Sequence, residues 1–192
     1  SLIDALAIVN VQKDETIRDI DYIESVIYEL DNAKSIDDLG AIYDEISENG
    51  LFSDKLKVKS SSKKASNKKA KPMTKNKLTS FNPLKYVIDG YTVLVGRNNK
   101  ENDYLTCKFA NKNDIWFHTK DIHGSHVILK TTPNEIVPDD VLFEVAKLAA
   151  KHSKAKNSSH VPVDFCKVSF VKKPSGSKPG YVIYSNNKTL YV

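Results

Sequence analysis

Between Leu2 and Asp31 the chain has neither proline nor glycine, and Ile3, Leu6, Ile17, Ile20, Ile23, Ile27 and Leu30 fall on steps of three and four. Such spacing lines the side chains up in one stripe and predicts a long amphipathic helix. Asn10 and Lys13 interrupt the stripe at seam positions, and the other faces are acidic, as in a coiled-coil arm rather than a core helix. A shorter helix is predicted next. Ser35 is its N-cap, Asp37 and Asp38 sit in its first turn, Ile36, Leu39, Ile42, Tyr43 and Ile46 share one face, and Gly50 ends it. Residues 1–50 thus read as the end of an arm that folds back, and self-association through its unpaired stripe is expected.

From Phe81 the period changes. LKYVIDGYTVLVG alternates apolar and polar residues around Asp89-Gly90, a dipeptide suited to the positive φ angles of a tight hairpin. Asn98 to Lys108 is predicted as an Asn-capped helix that packs through Tyr104, Leu105 and Phe109. Ile115 to His118 and His126 to Leu129 are predicted strands around a Gly-Ser bend. Pro138 opens a further helix whose buried face is Val141, Leu142, Val145, Leu148 and Ala149. VPVDFCKVSFVKK, GYVIYS and TLYV then read as strands parted by Pro, Gly and Asn turns. The expected class is α+β, a mainly antiparallel sheet with helices packed on one side, over residues 81–192.

Composition adds a partner class. The 192 residues suit one domain with an extension, and 40% hydrophobic with 28% charged residues describes a soluble chain. No apolar run approaches the ~20 residues of a membrane span, so no membrane partner is expected. SLIDALAIVN is not a secretory leader, and a chain beginning with Ser resembles an excised fragment. Cys107 and Cys166 have no metal-site spacing, and two isolated thiols indicate a reducing, cytoplasmic setting. Residues 1–50 hold thirteen acids and three bases, a net of −10, so a whole-chain charge of +5 requires +15 in the remainder. Ten of those cations are lysines within residues 51–80, set among Ser, Ala and Asn, a composition expected to form a disordered linker or an RNA-contacting tail. A body this basic points to a polyanion, with nucleic acid first, because phosphates release condensed counterions on binding cations.

NDIWFHTKDIHGSHVIL, Asn113 to Leu129, concentrates the chemistry. His118, His123 and His126 lie on two strands and a bend with no cysteine to complete a zinc set, so no metal or other cofactor is expected. Cys107 is expected to be a small buried hydrophobe rather than a nucleophile, and no carboxylate or second base is placed to complete a catalytic site around His118 or His126. On a strand, Trp116 and His118 share one face and Phe117 takes the other. That face is either a stacking surface for bases or a second piece of core. VKKPSGSKPG, Val171 to Gly180, is either a clamp on RNA backbone or a plain basic hairpin tip. The candidate RNA-binding residues are Arg97, Lys108, Trp116, His118, Lys120, Ser125, His126, Lys172, Lys173 and Lys178, with Asn102 and Asp103 on the same side.

VGRNNKENDYLTCKFANKNDIWFHTKDIHGSHVIL and AKLAAKHSKAKNSSHVPVDFCKVSFVKKPSGSKPGYVIYSNNKTLYV together resemble the C-terminal NFACT-R domain of the NFACT family, from Phe81 to Val192. YIESVIYELDNAKSIDDLGAIYDEISENGLF is similar to the end of that family's coiled-coil segment, and His123 departs from it, standing where the family bend has proline. The resemblance implies a part of a ribosome quality control factor that contacts rRNA, tRNA and the large ribosomal subunit carrying a stalled peptidyl-tRNA. The full-length factor would recruit tRNA(Ala) for alanine tailing of the nascent chain. Bacterial members also carry a fibronectin-binding label, so fibronectin is a further partner expectation, and an RNA-acting enzyme is the third class.

Overall fold

The computed structural model describes residues 1–50 and 81–192; the lysine-rich segment lies outside the described residues. Helix α1 spans Leu2–Asn32 and begins in a capping box, in which the Ser1 hydroxyl accepts from the Asp4 amide and the Asp4 carboxylate accepts from the Ser1 amino group. Helix α2 spans Ile36–Glu48, and its predicted N-cap Ser35 accepts from the Asp38 amide. The two helices meet through Tyr22, Val26 and Ile42. The inward face of α1 is therefore Tyr22, Val26 and Glu29, and not the predicted stripe, whose Ile3, Leu6, Ile17, Ile20, Ile27 and Leu30 stay between 77% and 45% exposed. Among the described residues, only the last third of α1 has a packed hydrophobic cluster, and it lies on the Tyr22 side.

The second part is built on strands β1 (Leu84–Ile88), β2 (Tyr91–Val95), β3 (Ile115–Thr119), β4 (Val127–Leu129), β5 (Pro162–Lys167) and β8 (Lys188–Tyr191), in the order β1-β2-β4-β3-β5-β8. Every neighbouring pair is antiparallel. Asp89 and Gly90 turn β1 into β2 with φ of 47° and 83°, the double positive φ that only such a dipeptide adopts at low cost. Alternation then divides the core in two. Val93, Val95, Phe117, Val127, Leu129 and Val163 face helix α4 (Asp139–Lys151), which contributes Val141, Val145, Leu148 and Ala149. Leu94, Trp116, Ile128 and Cys166 face the other way.

That second face is also covered. Helix α3 (Asn99–Tyr104), capped by Asn98 as predicted, continues into a π-helical turn, Leu105–Phe109, closed by the Ala110 amide donating to the Leu105 carbonyl at 2.9 Å. Leu105 plugs the Trp116 side, and the small hairpin of β6 (Val171–Lys172) and β7 (Ile183–Tyr184) adds Val171 and Tyr184. The sheet thus carries α4 on one side and a short helical turn with a hairpin on the other. Tyr104 and Phe109, expected as packing residues, are 40% and 44% exposed and instead flank Phe81 at ring separations of 4.7 and 5.1 Å.

Candidate nucleic-acid interface

The arm meets the sheet module across a cleft of ≈ 700 Å³. Its arm wall carries Arg18, Asp19, Asp21 and Tyr22; its other wall carries Asn98, His118, His123 and the Pro174–Gly180 loop. Six of the ten candidate residues, Arg97, Trp116, His118, Ser125, His126 and Lys178, line it, whereas Lys108, Lys120, Lys172 and Lys173 do not.

Burial removes two of the six from the surface. Trp116 is 0% exposed, so no ring face remains for a base. It stacks on His118 at 5.7 Å and 11°, meets the edge of His126 at 5.4 Å, and tilts against Tyr184 at 4.7 Å. The shared face of Trp116 and His118 is as expected from a strand, but Leu105 and the β6–β7 hairpin seal it. His126 is 2% exposed. Its Nε2 lies 3.1 Å from the Gly180 carbonyl, which can only accept, so Nε2 carries the proton and Nδ1 accepts from the Thr106 hydroxyl at 2.8 Å. Desolvation holds its pKa well below the usual imidazole value, and the neighbouring His118 adds to this. His126 is a neutral structural pin between the π turn and the hairpin loop. His118 is half-buried and likewise lowered by desolvation.

Charge is also spent internally. Lys173 Nζ donates to the carbonyls of Lys178 (2.7 Å) and Tyr181 (3.2 Å) and pairs with Asp103 at 3.0 Å, while the other Asp103 oxygen accepts from the Gly180 amide at 2.9 Å. Lys173 staples the loop shut and has no free donor face for a phosphate, which corrects its expected role. Arg97 gives Nε and Nη2 to the Glu101 carboxylate, both at 3.0 Å, a forked pair that raises its already high pKa. Lys178 Nζ lies 5.7 Å from the Tyr22 ring and ties the loop to the arm. Lys108, Lys120 and Lys172 are exposed and make no ion pair among the described residues. Lys112 and Lys167, absent from the predicted set, are exposed as well, on segments joined by the Ser169 amide donating to the Lys112 carbonyl. Only their pairing state distinguishes them, and sequence carries no signal for that.

The root of the arm holds a pair of buried carboxyl groups, one of them on α1, whose acidic faces were expected to be solvated. Glu29 is 7% exposed and Glu45 is 0% exposed. The Asn99 amide donates to Glu29, and Glu45 accepts from the Tyr22 hydroxyl at 2.9 Å and the Asn99 side chain at 3.1 Å. Among the described residues, one oxygen of each carboxyl has no hydrogen-bond partner. Desolvation, then the charge of Glu45, pushes Glu29 up to about 9, and desolvation also raises Glu45. The signal available in sequence was the position of Glu29, three residues beyond Val26 and seven beyond Tyr22, on the inward face.

Cys107, expected to be buried, is exposed, while Cys166 is buried; desolvation raises both thiols, which disfavours thiolate chemistry. His118, His123 and His126 do not assemble into a metal set, since both ring nitrogens of His126 are already engaged.

An antiparallel six-stranded sheet between one long helix and a π-turned helix, with an acidic helical hairpin docked at its rim, defines the class: a compact α+β module carried on a helical arm. The NFACT protein RNA binding domain matches residues 77–186, and the chain belongs to that family. It is 38% identical over 192 residues to the Rqc2 homolog RqcH of Bacillus subtilis, covering 98% of this chain and 30% of that protein. With the Rqc2 homolog RqcH of Streptococcus suis it shares 50% identity over 105 residues, 54% of this chain and 19% of the relative. Among solved structures, the C-terminal part of the fibronectin/fibrinogen-binding protein from Streptococcus suis aligns with a TM-score of 0.73 at 38% identity, covering 93% of this chain and 65% of that one. The chain therefore spans less than a third of the length of these two RqcH relatives.

Proposed function

We propose that this chain is the RNA-contacting, C-terminal portion of an RqcH-type ribosome quality control factor, acting in the cytoplasm on the large ribosomal subunit with its stalled peptidyl-tRNA. In the whole factor it would support recruitment of tRNA(Ala) for alanine tailing. The observation that carries the reading is the match of an RNA binding domain family to residues 77–186. Lys108, Lys120 and Lys172, exposed and without an ion pair among the described residues, favour contact with phosphate, while buried Trp116 offers no ring face to a base in the cleft. The reading is of a binding module: the Nε2 proton and the Nδ1 lone pair of His126 are both held in hydrogen bonds, to Gly180 and Thr106.

Fluorescence anisotropy with tRNA and with large-subunit rRNA, over a series of salt concentrations, tests this. Each phosphate contact contributes about 0.9 to the slope of log affinity against log salt on duplex nucleic acid. Reversing Lys108, Lys120 and Lys172 to Glu should flatten the slope by about 2 to 3. Salt-independent binding, or none at low ionic strength, overturns the proposal. A second reading is favoured by the name of the Streptococcus suis structure: saturable fibronectin binding that survives physiological salt and the triple reversal would make adhesion primary.

A further inference from the structure

On the rim of the cleft, α1 and the 121–125 bend bring together three side chains that the RNA reading does not use. His123 Nε2 lies 3.3 Å from Glu24 Oε2 and 3.5 Å from Asp21 Oδ1. One ligand atom from each of the three residues lies within 4.8 Å of the others. We propose that Asp21, Glu24 and His123 form a binding site for a divalent transition-metal ion of the zinc type, which clamps the arm to the sheet module.

Ligand identity, spacing and rigidity carry the assignment. An imidazole with two carboxylates is a donor set that suits zinc, whereas magnesium and calcium prefer all-oxygen cages. Ligands held about 2.0 to 2.1 Å from a tetrahedral zinc stand about 3.4 Å apart. The two separations from His123 fall on either side of that value, so the imidazole and carboxylates need little movement to close on an ion. The set draws on two independent elements, and each is fixed. Asp21 and Glu24 are one helical turn apart on α1, on either side of Tyr22, which is 4% exposed and anchored by its hydroxyl on Glu45.

His123 sits on a bend held by backbone bonds. Its carbonyl accepts from the Lys154 amide at 2.9 Å, the Ser125 amide donates to His152 at 2.9 Å, and the Thr119 hydroxyl donates to Ile122 at 2.9 Å. Gly124 beside it is bridged to Ser153 so closely that a Cβ there would stand 2.8 Å from the serine side chain. A site assembled on packed elements pays little ordering entropy when it binds.

Charge supports the same conclusion. Among the described residues, neither Asp21 nor Glu24 has a lysine or arginine within ion-pair distance; their one shared partner is the imidazole. Two negative charges therefore converge on a nitrogen whose neutral form offers a lone pair, and a dication balances them. Asp21 and His123 also line the cleft, so a fourth ligand position can be filled from that side by water. This site is independent of RNA binding: either can fail while the other holds.

The test is a zinc competition titration of the tag-free chain against a chromogenic chelator, using wild type, His123→Ala and Glu24→Gln. All three residues are at least partly exposed, and near-ultraviolet circular dichroism of Trp116 reports that the variants fold. The expected result is one zinc per chain, weakened roughly tenfold or more in each variant, and retained in a large excess of Mg²⁺. No uptake by wild type, uptake that either variant retains, or displacement by Mg²⁺ overturns the assignment.

Discussion

Replacing Glu29 by Gln probes how the arm is held. In the docked arm the Glu29 carboxyl stands at about 9, against an ordinary 4.5, because it is desolvated beside Glu45. A raised carboxyl pKa means that docking takes up a proton. Docking strength is thus fully present below the ordinary value and is lost as pH rises through the docked value. Within that window each pH unit costs about 1.4 kcal/mol, a tenfold drop in the docking constant, so pH 6 to 8 spans roughly a hundredfold.

The groups facing Glu29 are Glu45, Tyr22 and Asn99, with Lys100 drawing Glu45 down slightly and itself paired to Glu48 at 2.6 Å. A carboxamide keeps an acceptor for the Asn99 amide and carries no charge at any pH. Amide hydrogen exchange of α2, corrected for intrinsic rates, reads the docked population. In a His123→Ala background, which takes the contact between α1 and the 121–125 bend out of the measurement, the protein should lose about tenfold protection per pH unit from 6 to 8, and addition of Glu29→Gln should abolish the slope and raise protection at pH 8. Flat protection in the presence of Glu29, or an unchanged slope with Gln, refutes a shared buried proton.

Other outcomes follow from packing and polar pairing. Trp116→Ala should destabilise the sheet module by about 3 to 5 kcal/mol in chemical denaturation, as for a fully buried aromatic, and any loss of RNA affinity should track the unfolded fraction. Lys173→Met leaves Asp103 facing the loop without its cation; about 1 to 3 kcal/mol of stability should be lost, while the salt slope of RNA binding stays at the wild-type value. Gly180→Ala meets both a φ of 82° and an Asn99 oxygen 2.6 Å from the new Cβ. It should free the loop from α3, seen as faster exchange of the Gly180 and Tyr181 amides.

The periodic signals were legible from sequence. Alternation located the strands of both hairpin arms around Asp89-Gly90, capping residues located the starts of α2 and α3, and the apolar face of α4 was read correctly at Val141, Val145 and Ala149. These depend on near neighbours in the chain, where local sterics and hydrogen bonding decide. Family resemblance rested on the same blocks of residues. Tertiary structure decided what each face touches. Period two assigned Trp116 to the side away from α4, yet only the approach of the π turn and of a hairpin sixty residues on made that side a second core. Counting lysines likewise cannot separate Lys173, which closes its own loop, from Lys172 beside it, which stays in solvent. The spacing of Glu29 from Tyr22 and Val26 marks its face of α1, but nothing local shows that it meets Glu45 in a dry interface, because burial of a charge is set by which distant element covers it.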